Sequence, residues 1–403
     1  MFTLALRNVF RHRGRTAMTL AAIVFGVSGL VLTGGFVRDI YIQLGEALIH
    51  SQTGHLQVMR TGYYESGTRS PEKFRIDDVT QLQRDLAAMP EVYAAMARVA
   101  FSGLLNNGRT DWGVVGEGVE PDKEARLGSY VRIINGKQLR DGDRDGMLIG
   151  QGVAQALKIA PGDRVTLLLN TSEGALNSMD FRVVGVFQSF SKDFDARAVR
   201  IPLAAAQDLL LTRGVNSVVV ALKQTGDTER VASSMQRGLA GQSLEIRNWQ
   251  ELNDFYEKTV ALYDRQFGVL QFIILAMVVL SVGNTVNMSV FERVGEFGTM
   301  RALGNRNRHI ARLILTESAL LGTVGSAAGV LLGVALAMVI SAIGIPMPPP
   351  PNANVGYTAL IRVVPEVLVT AFFIGVAATI LAAILPAVRV SRIALADALR
   401  EAI

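Results

Sequence analysis

The sequence contains no cysteine, only four histidines and only two tryptophans among its 403 residues. Without cysteine there is no disulfide framework, no thiolate metal site and no cysteine nucleophile. The histidines, His12, His50, His55 and His309, are scattered, and no His-Glu-x-x-His or comparable ligand spacing occurs, so the pattern offers no metal centre. No serine sits in a Gly-x-Ser-x-Gly elbow. The one Gly-Lys pair, Gly136-Lys137, is followed by Gln138 where a phosphate-cradling loop needs Ser or Thr. These absences leave an enzymatic reading without support and imply no cofactor bound by this chain.

What is present is a mixture. Half of the residues are apolar and the mean hydropathy is +0.31, yet 19% are charged. Residues 38–265 hold 27 of the 40 basic and 29 of the 35 acidic residues. The remainder carries 13 basic and 6 acidic groups, and all 13 basic groups are arginine. These arginines flank apolar runs instead of forming a stripe on a soluble domain. They read as membrane-topology signals and not as a nucleic-acid surface.

Thr16–Val37 is a 22-residue run without a charge. At about 1.5 Å per residue it can cross a hydrocarbon layer roughly 30 Å thick. The run is too long for a secretory signal and no small-x-small cleavage site follows, so it reads as an uncleaved anchor. Phe267–Phe291, Leu320–Ile345 and Val367–Val388 are three further candidates. The expected layout is a cytoplasmic amphipathic segment (1–15), span one (16–37), a large domain (38–265), span two (266–291), a loop (292–313), span three (314–345), a proline-rich loop (346–366), span four (367–388) and a tail (389–403).

Arginines cluster in the amino-terminal segment, in the 292–313 loop and in the tail. The positive-inside rule puts these three in the cytoplasm, with both termini inside. The 38–265 domain and the 346–366 loop, which has only Arg362, then lie outside. The predicted fold class is an α-helical membrane protein with four transmembrane helices and a large α+β extracytoplasmic domain inserted between helices 1 and 2.

Within that domain, β-branched runs at His55–Met59, Val165–Leu169, Phe181–Phe187 and Ser217–Leu222 predict strands. Helical patterns lie at Asp77–Met89, which opens on an Asp suited to capping, and at Gly152–Leu157 and Thr228–Leu239. Similar strand-and-helix sets near 51–104 and 214–250 bracket a Gly- and Asp-rich middle. One subdomain (about 110–212) is therefore expected to be inserted into another (about 40–109 and 213–265). Pro346 and Pro348–Pro351 predict an extended, polyproline-like stretch.

The loop Glu292-Arg-Val-Gly-Glu-Phe-Gly-Thr-Met-Arg-Ala-Leu-Gly304 mixes charge with Val294, Phe297, Met300 and Leu303 at helical spacing. Glu292 and Glu296 stand in its first half, Arg301 stands near its end, and Gly304 is placed to stop it, all consistent with the helix dipole. A helix lying on lipid is one reading. The two glutamates would face an anionic leaflet, however, which favours docking into a protein. On span three, Gly325, Gly329 and Gly333 form a tandem Gly-x-x-x-Gly face that admits a close neighbour, from this chain or a second copy.

Glu292 to Gly304 resembles the coupling-helix signature of the MacB, FtsX and LolC/LolE type of ABC transporter permeases. Leu6-Arg-Asn-Val-Phe-Arg11 with Arg15, Leu148-Ile-Gly-Gln-Gly with Pro161-Gly-Asp-Arg-Val-Thr, Val183-Val-Gly-Val-Phe and Pro386-Ala-Val-Arg with Ala398-Leu-Arg400 extend the resemblance over the whole chain. The resemblance implies two permease subunits, a homodimer or a pair with a sister permease, and two copies of a separate ABC ATPase subunit that uses ATP and Mg. Glu292, Arg293, Glu296, Phe297, Met300, Arg301 and Gly304 would then meet the ATPase, with Phe297 as apolar anchor and Arg301 as a charge-assisted contact. It assigns the dimer contact mainly to spans one and two.

Gly54-His-Leu-Gln-Val and the Ile345–Asn352 loop are most similar to the lipoprotein-releasing (LolC/LolE-like) branch. That branch implies a bacterial inner-membrane location, contact with membrane lipid, and a periplasmic carrier or adaptor. MacB-like efflux, FtsX-like mechanotransmission to a periplasmic partner and a membrane receptor that uses no ATPase are the alternatives.

Overall fold

A computed structural model describes residues 13–391, apart from 68–69, 128–129, 172, 240, 350–351 and 355. Most of the expected amino-terminal segment and tail, and two of the four consecutive prolines, fall outside the described residues. The described chain forms two compact units. One contains the chain up to Tyr41, Thr259–Pro346 and the chain from Thr358 onward; the other contains Ile42–Lys258 and Met347–Tyr357.

The first helix, α1 (Arg13–Leu48), ends in a wide π-type turn at Ile49–Thr53. In chain order there follow β1 (Leu56–Arg60), α2 (Val79–Ala87), β2 (Val92–Asn106), β3 (Asp111–Val119), α3 (Pro121–Leu127), β4 (Arg132–Gly136), β5 (Gly146–Gly150), α4 (Gln151–Leu157), β6 (Arg164–Asn170), β7 (Leu176–Gln188), β8 (Ala198–Pro202), α5 (Leu203–Leu210), β9 (Ser217–Leu222), α6 (Thr228–Gly238) and β10 (Leu244–Asn248). All ten strands join one mixed sheet, ordered β10-β1-β9-β2-β3-β8-β5-β7-β4, with β6 paired to both β2 and β7. Parallel pairs occur at β3–β8 and β5–β7.

The long β2 organises this unit. Its first half, Val92–Arg98, pairs with β9, and its second half pairs with β3 and β6. Two apolar cores form around it. Leu56, Val58, Leu82, Leu86, Val218 and Val231 build one. Val99, Phe101, Met147, Leu167, Phe181 and Ile201 are among the residues that build the other. One sheet therefore carries both parts expected as separate subdomains, because β2, which lies wholly in the outer part, pairs with β9 of that part and with β3 and β6 of the middle part. Leu82 and Leu86, four apart, bury one face of α2. Asp78 stands at its N-cap without a side-chain capping bond, so the expected Asp cap is absent and core packing holds the helix.

The other unit is helical: α1, α7 (Asp254–Phe291), α8 (Val294–Ala302), α9 (Asn307–Ile343) and α10 (Pro365–Ser391). Four of these are long and apolar enough to cross a membrane. They outrun the apolar stretches because hydrogen-bonded turns continue into polar sequence, as at Asp254 and Glu257 in the first turn of α7. Their shared core contains Ile23 and Val27 of α1, Val282 and Val286 of α7, Ile310 and Ile314 of α9, and Ala378 and Ala383 of α10. Phe25, Phe272, Leu331 and Phe373 point outward, as lipid-facing residues should.

In the 346–366 loop, Pro346 lies in a short strand, while Pro348 and Pro349 belong to no regular element. Ile345–Met347 (β11) pairs with Tyr357–Ala359 (β12). Between them, Asn352 and Asn354 bond the 190–195 turn: Lys192 N donates to Asn352 O at 2.9 Å and Asn354 N to Phe190 O at 3.1 Å. Nearer the spans, the fully buried Asp39 of α1 accepts from Leu360 N and from Arg362 Nε, each at 2.8 Å.

Candidate coupling helix and its seat

Two tight turns set off the nine-residue α8. At its end, Gly304 N bonds Arg301 O at 2.9 Å and Asn305 N bonds Met300 O at 3.1 Å. This is a Schellman closure, which requires a left-handed residue at the position of Gly304, and Gly304 has φ +92°. Gly304 thus acts as the stop. Glu296 lies in the first turn and Arg301 in the last, the polarity favoured by the helix dipole.

The helix is held down by its own chain. Phe297 is 2% exposed and belongs to the core of the helical unit. The Arg293 guanidinium lies over its ring at 5.1 Å. Arg293 is itself buried, with Nε 3.0 Å from Glu296 and Nη1 2.9 Å from Glu317 of α9. Arg293 engages two carboxylates and a ring, and Phe297 is buried in the core, so both face the chain's own helical unit. The outward side carries Glu292, Glu296, Ala302, Leu303 and Gly304, with Met300 and Arg301 half-buried.

Two residues here were not among the ATPase contacts expected from sequence, Leu303 and Glu317. Leu303 is 80% exposed on an otherwise seated helix. Glu317 is the one acidic residue of α9. A carboxylate in an apolar helix needs a partner, and that rule was the available signal.

The glycine face of α9 packs on α1 of the same chain. A Cβ at Gly325, Gly329 or Gly333 would stand 2.9, 2.8 or 2.9 Å from Ile23, Val27 or Val31, respectively. Ser28 Oγ donates to Gly329 O at 3.0 Å, a polar contact that close backbone approach allows. Among the described residues, no group of three or more His, Asp or Glu side chains could hold a metal ion.

Four helices able to span a membrane, together with homologous permeases, indicate a multi-pass inner-membrane protein of the ABC transporter permease class. Residues 16–237 match the MacB-like periplasmic core domain and residues 268–395 match the FtsX-like permease C-terminal region. The chain belongs to this MacB/FtsX-type permease family.

Its relatives include the lipoprotein-releasing system transmembrane protein LolC of Neisseria meningitidis serogroup B, 23% identical over 80% of this chain and 76% of that protein. The macrolide export ATP-binding/permease protein MacB of Bdellovibrio bacteriovorus is 24% identical over 82% of this chain, which spans 52% of that longer protein. The crystallised periplasmic region of MacB from Actinobacillus actinomycetemcomitans aligns at a TM-score of 0.38 and 14% identity, covering 53% of this chain and 95% of that one.

Proposed function

We propose that this chain is the mechanical half of an ABC transporter. A separate ATPase, in two copies, docks on the outward side of α8, and a second permease subunit completes the passage. The sheet unit, set in sequence between the first and second spans, works on the extracytoplasmic side, with both termini in the cytoplasm. ATP and Mg are used by the partner. The absence of a phosphate loop from these 403 residues is consistent with this division.

The observation that carries the reading is the two-sidedness of α8: Phe297 and Arg293 fasten it, while Ala302 and Leu303 are exposed on its other side. A helix fastened on one side transmits a push; one lying loose would not.

The substrate class we favour is a lipid-anchored molecule, such as a lipoprotein, taken from the outer leaflet and passed to a periplasmic carrier. Withdrawing acyl chains costs about 0.8 kcal/mol per CH2, which calls for an energy source. The similarity to LolC supports this choice.

The test is co-purification of the ATPase with the full chain from membranes. Glu296→Lys and Leu303→Asp should each weaken ATPase association about tenfold or more, near 1.4 kcal/mol, while membrane insertion is unchanged. Full association in both variants would remove α8 as the docking element.

A further inference from the structure

The carboxyl end of α1 is gripped by a ring of four charges, three of them buried. A helix terminus leaves its last carbonyls without intrahelical donors. In the turn that closes α1, Gly54 N serves Ile49 O at 2.9 Å and Gln57 Nε2 serves Thr53 O at 3.0 Å. Of the three carbonyls between them, those of Ser51 and Gln52 are taken by arginines from the sheet. Arg200 Nη2 donates to Ser51 O at 3.2 Å, and Arg98 Nη1 donates to Gln52 O.

The arginines are in turn held by two carboxylates. Arg98 Nε lies 3.2 Å from Glu124 and its Nη1 3.3 Å from Glu117. Arg200 Nε lies 3.2 Å from Glu117 and its Nη1 3.7 Å from Glu124. Arg98, Arg200 and Glu124 are buried. Glu117 and Arg200 are register partners on the parallel β3 and β8. Burial alone would raise the Glu124 pKa, but Arg98 and then Arg200 outweigh it and hold the carboxyl below its ordinary range.

Stability alone is a poor reason for such a ring, since apolar replacements of buried ion pairs are commonly neutral or better. The ring does provide fixed geometry: planar forks, each bonded to a helix end and to carboxylates at once. Its Arg98 stands on β2, the strand that serves both apolar cores. A displacement of the end of α1 cannot slip past the sheet without unpairing buried charge.

We propose that Arg98 and Arg200 are positioning residues of the transport cycle, forming the clamp through which movement of the first span is delivered to the whole sheet. This deepens the transporter reading above and rests on it.

The experiment uses the full chain with its co-purified ATPase in lipid nanodiscs. The sequence has no native thiol, so spin labels go on Tyr93→Cys of β2 and Val339→Cys of α9, both exposed. Distances are compared with and without a non-hydrolysable ATP analogue and Mg2+. The clamp predicts a nucleotide-dependent shift that is mostly lost in Arg200→Gln/Glu117→Gln. This pair removes one cation and one anion together, leaves Arg98 paired with Glu124, and should retain ATP hydrolysis by the complex.

If the pair fails to assemble, Arg98→Lys replaces it. It keeps the charge but cannot bridge Gln52 and both glutamates, and the same loss is expected. A full shift in the assembled variant overturns the clamp. No shift in the unsubstituted complex, or no ATPase bound to it, overturns the transporter reading and the clamp with it.

Discussion

Gly329 can be no other residue without moving a helix. Its added Cβ would meet Val27 Cβ at 2.8 Å and the Val24 carbonyl oxygen at 3.0 Å, and the second contact is backbone that cannot rotate aside. Gly329→Val should cost about 1–3 kcal/mol, read as a lowered thermal midpoint in detergent. Gly268, also inside a spanning helix, has nothing within 4 Å. Gly268→Ala should be neutral or stabilising by about 0.5–1 kcal/mol. Equal losses at both positions would mean that close packing on α1 is not what Gly329 provides. Arg293 is the residue-scale counterpart among charges. Arg293→Met removes the cation 2.9 Å from Glu317 and should lower stability by about 1–3 kcal/mol, whereas Arg293→Met/Glu317→Leu should recover part of that loss.

At the scale of elements, the two sides of α8 differ in burial: Phe297 is 2% and Leu303 80% exposed. Phe297→Ala should destabilise the helical unit by about 3–5 kcal/mol, since it empties a buried site. Leu303→Asp should leave the thermal midpoint nearly unchanged and act only on partner binding. The reverse pattern would mean that α8 is seated the other way round. Sequence periodicity located this helix and its glycine stop, but it could not tell which of Phe297 and Leu303 faces inward. Both are apolar on a nine-residue helix, and the choice is made by Glu317, a residue in a different element.

The strands show the same division. Ser217–Leu222 was legible to the residue because a run buried on both faces is apolar throughout. The Arg98, Arg200, Glu117 and Glu124 ring was not legible. Its members are separated by up to about a hundred residues of sequence, and each alone reads as an ordinary surface charge. Asp39 was hidden for a similar reason: its partners, Leu360 and Arg362, lie in a loop that charge counting marked only as arginine-poor.

At the scale of the molecule, two buried groups give the sheet unit opposing responses to acid. His55 is pushed down to about 4, by burial first and then by His50, and its Nδ1 accepts from Leu222 N at 3.1 Å. Between about 6.5 and 4 the unfolded chain takes up this proton and the folded chain does not, so stability falls as pH drops through that window. Asp195 is raised to about 6 by burial, so the folded chain holds a proton that the unfolded chain releases near 3.8. Its contribution grows as pH falls from about 6 towards 3.8. His55→Gln removes the first response and keeps the second. Relative to the unsubstituted protein, the variant should therefore gain up to ~3 kcal/mol as pH falls from 7 to about 4.5. Thermal midpoints at the two pH values check this, and parallel midpoints in both proteins would contradict it.

The four span-capable helices were readable because apolar run length is local in sequence. The helices nonetheless extend well past the runs, since backbone hydrogen bonding does not stop at the edge of hydrophobicity. The account depends on α8 and the sheet unit facing opposite sides of the membrane. Single thiols at Leu303→Cys and Leu176→Cys, both exposed positions in a chain without cysteine, measure this directly with a membrane-impermeant maleimide. Leu303→Cys should react only in inverted vesicles and Leu176→Cys only in right-side-out vesicles. Labelling of both from the same side, or in the reverse pattern, would contradict the account.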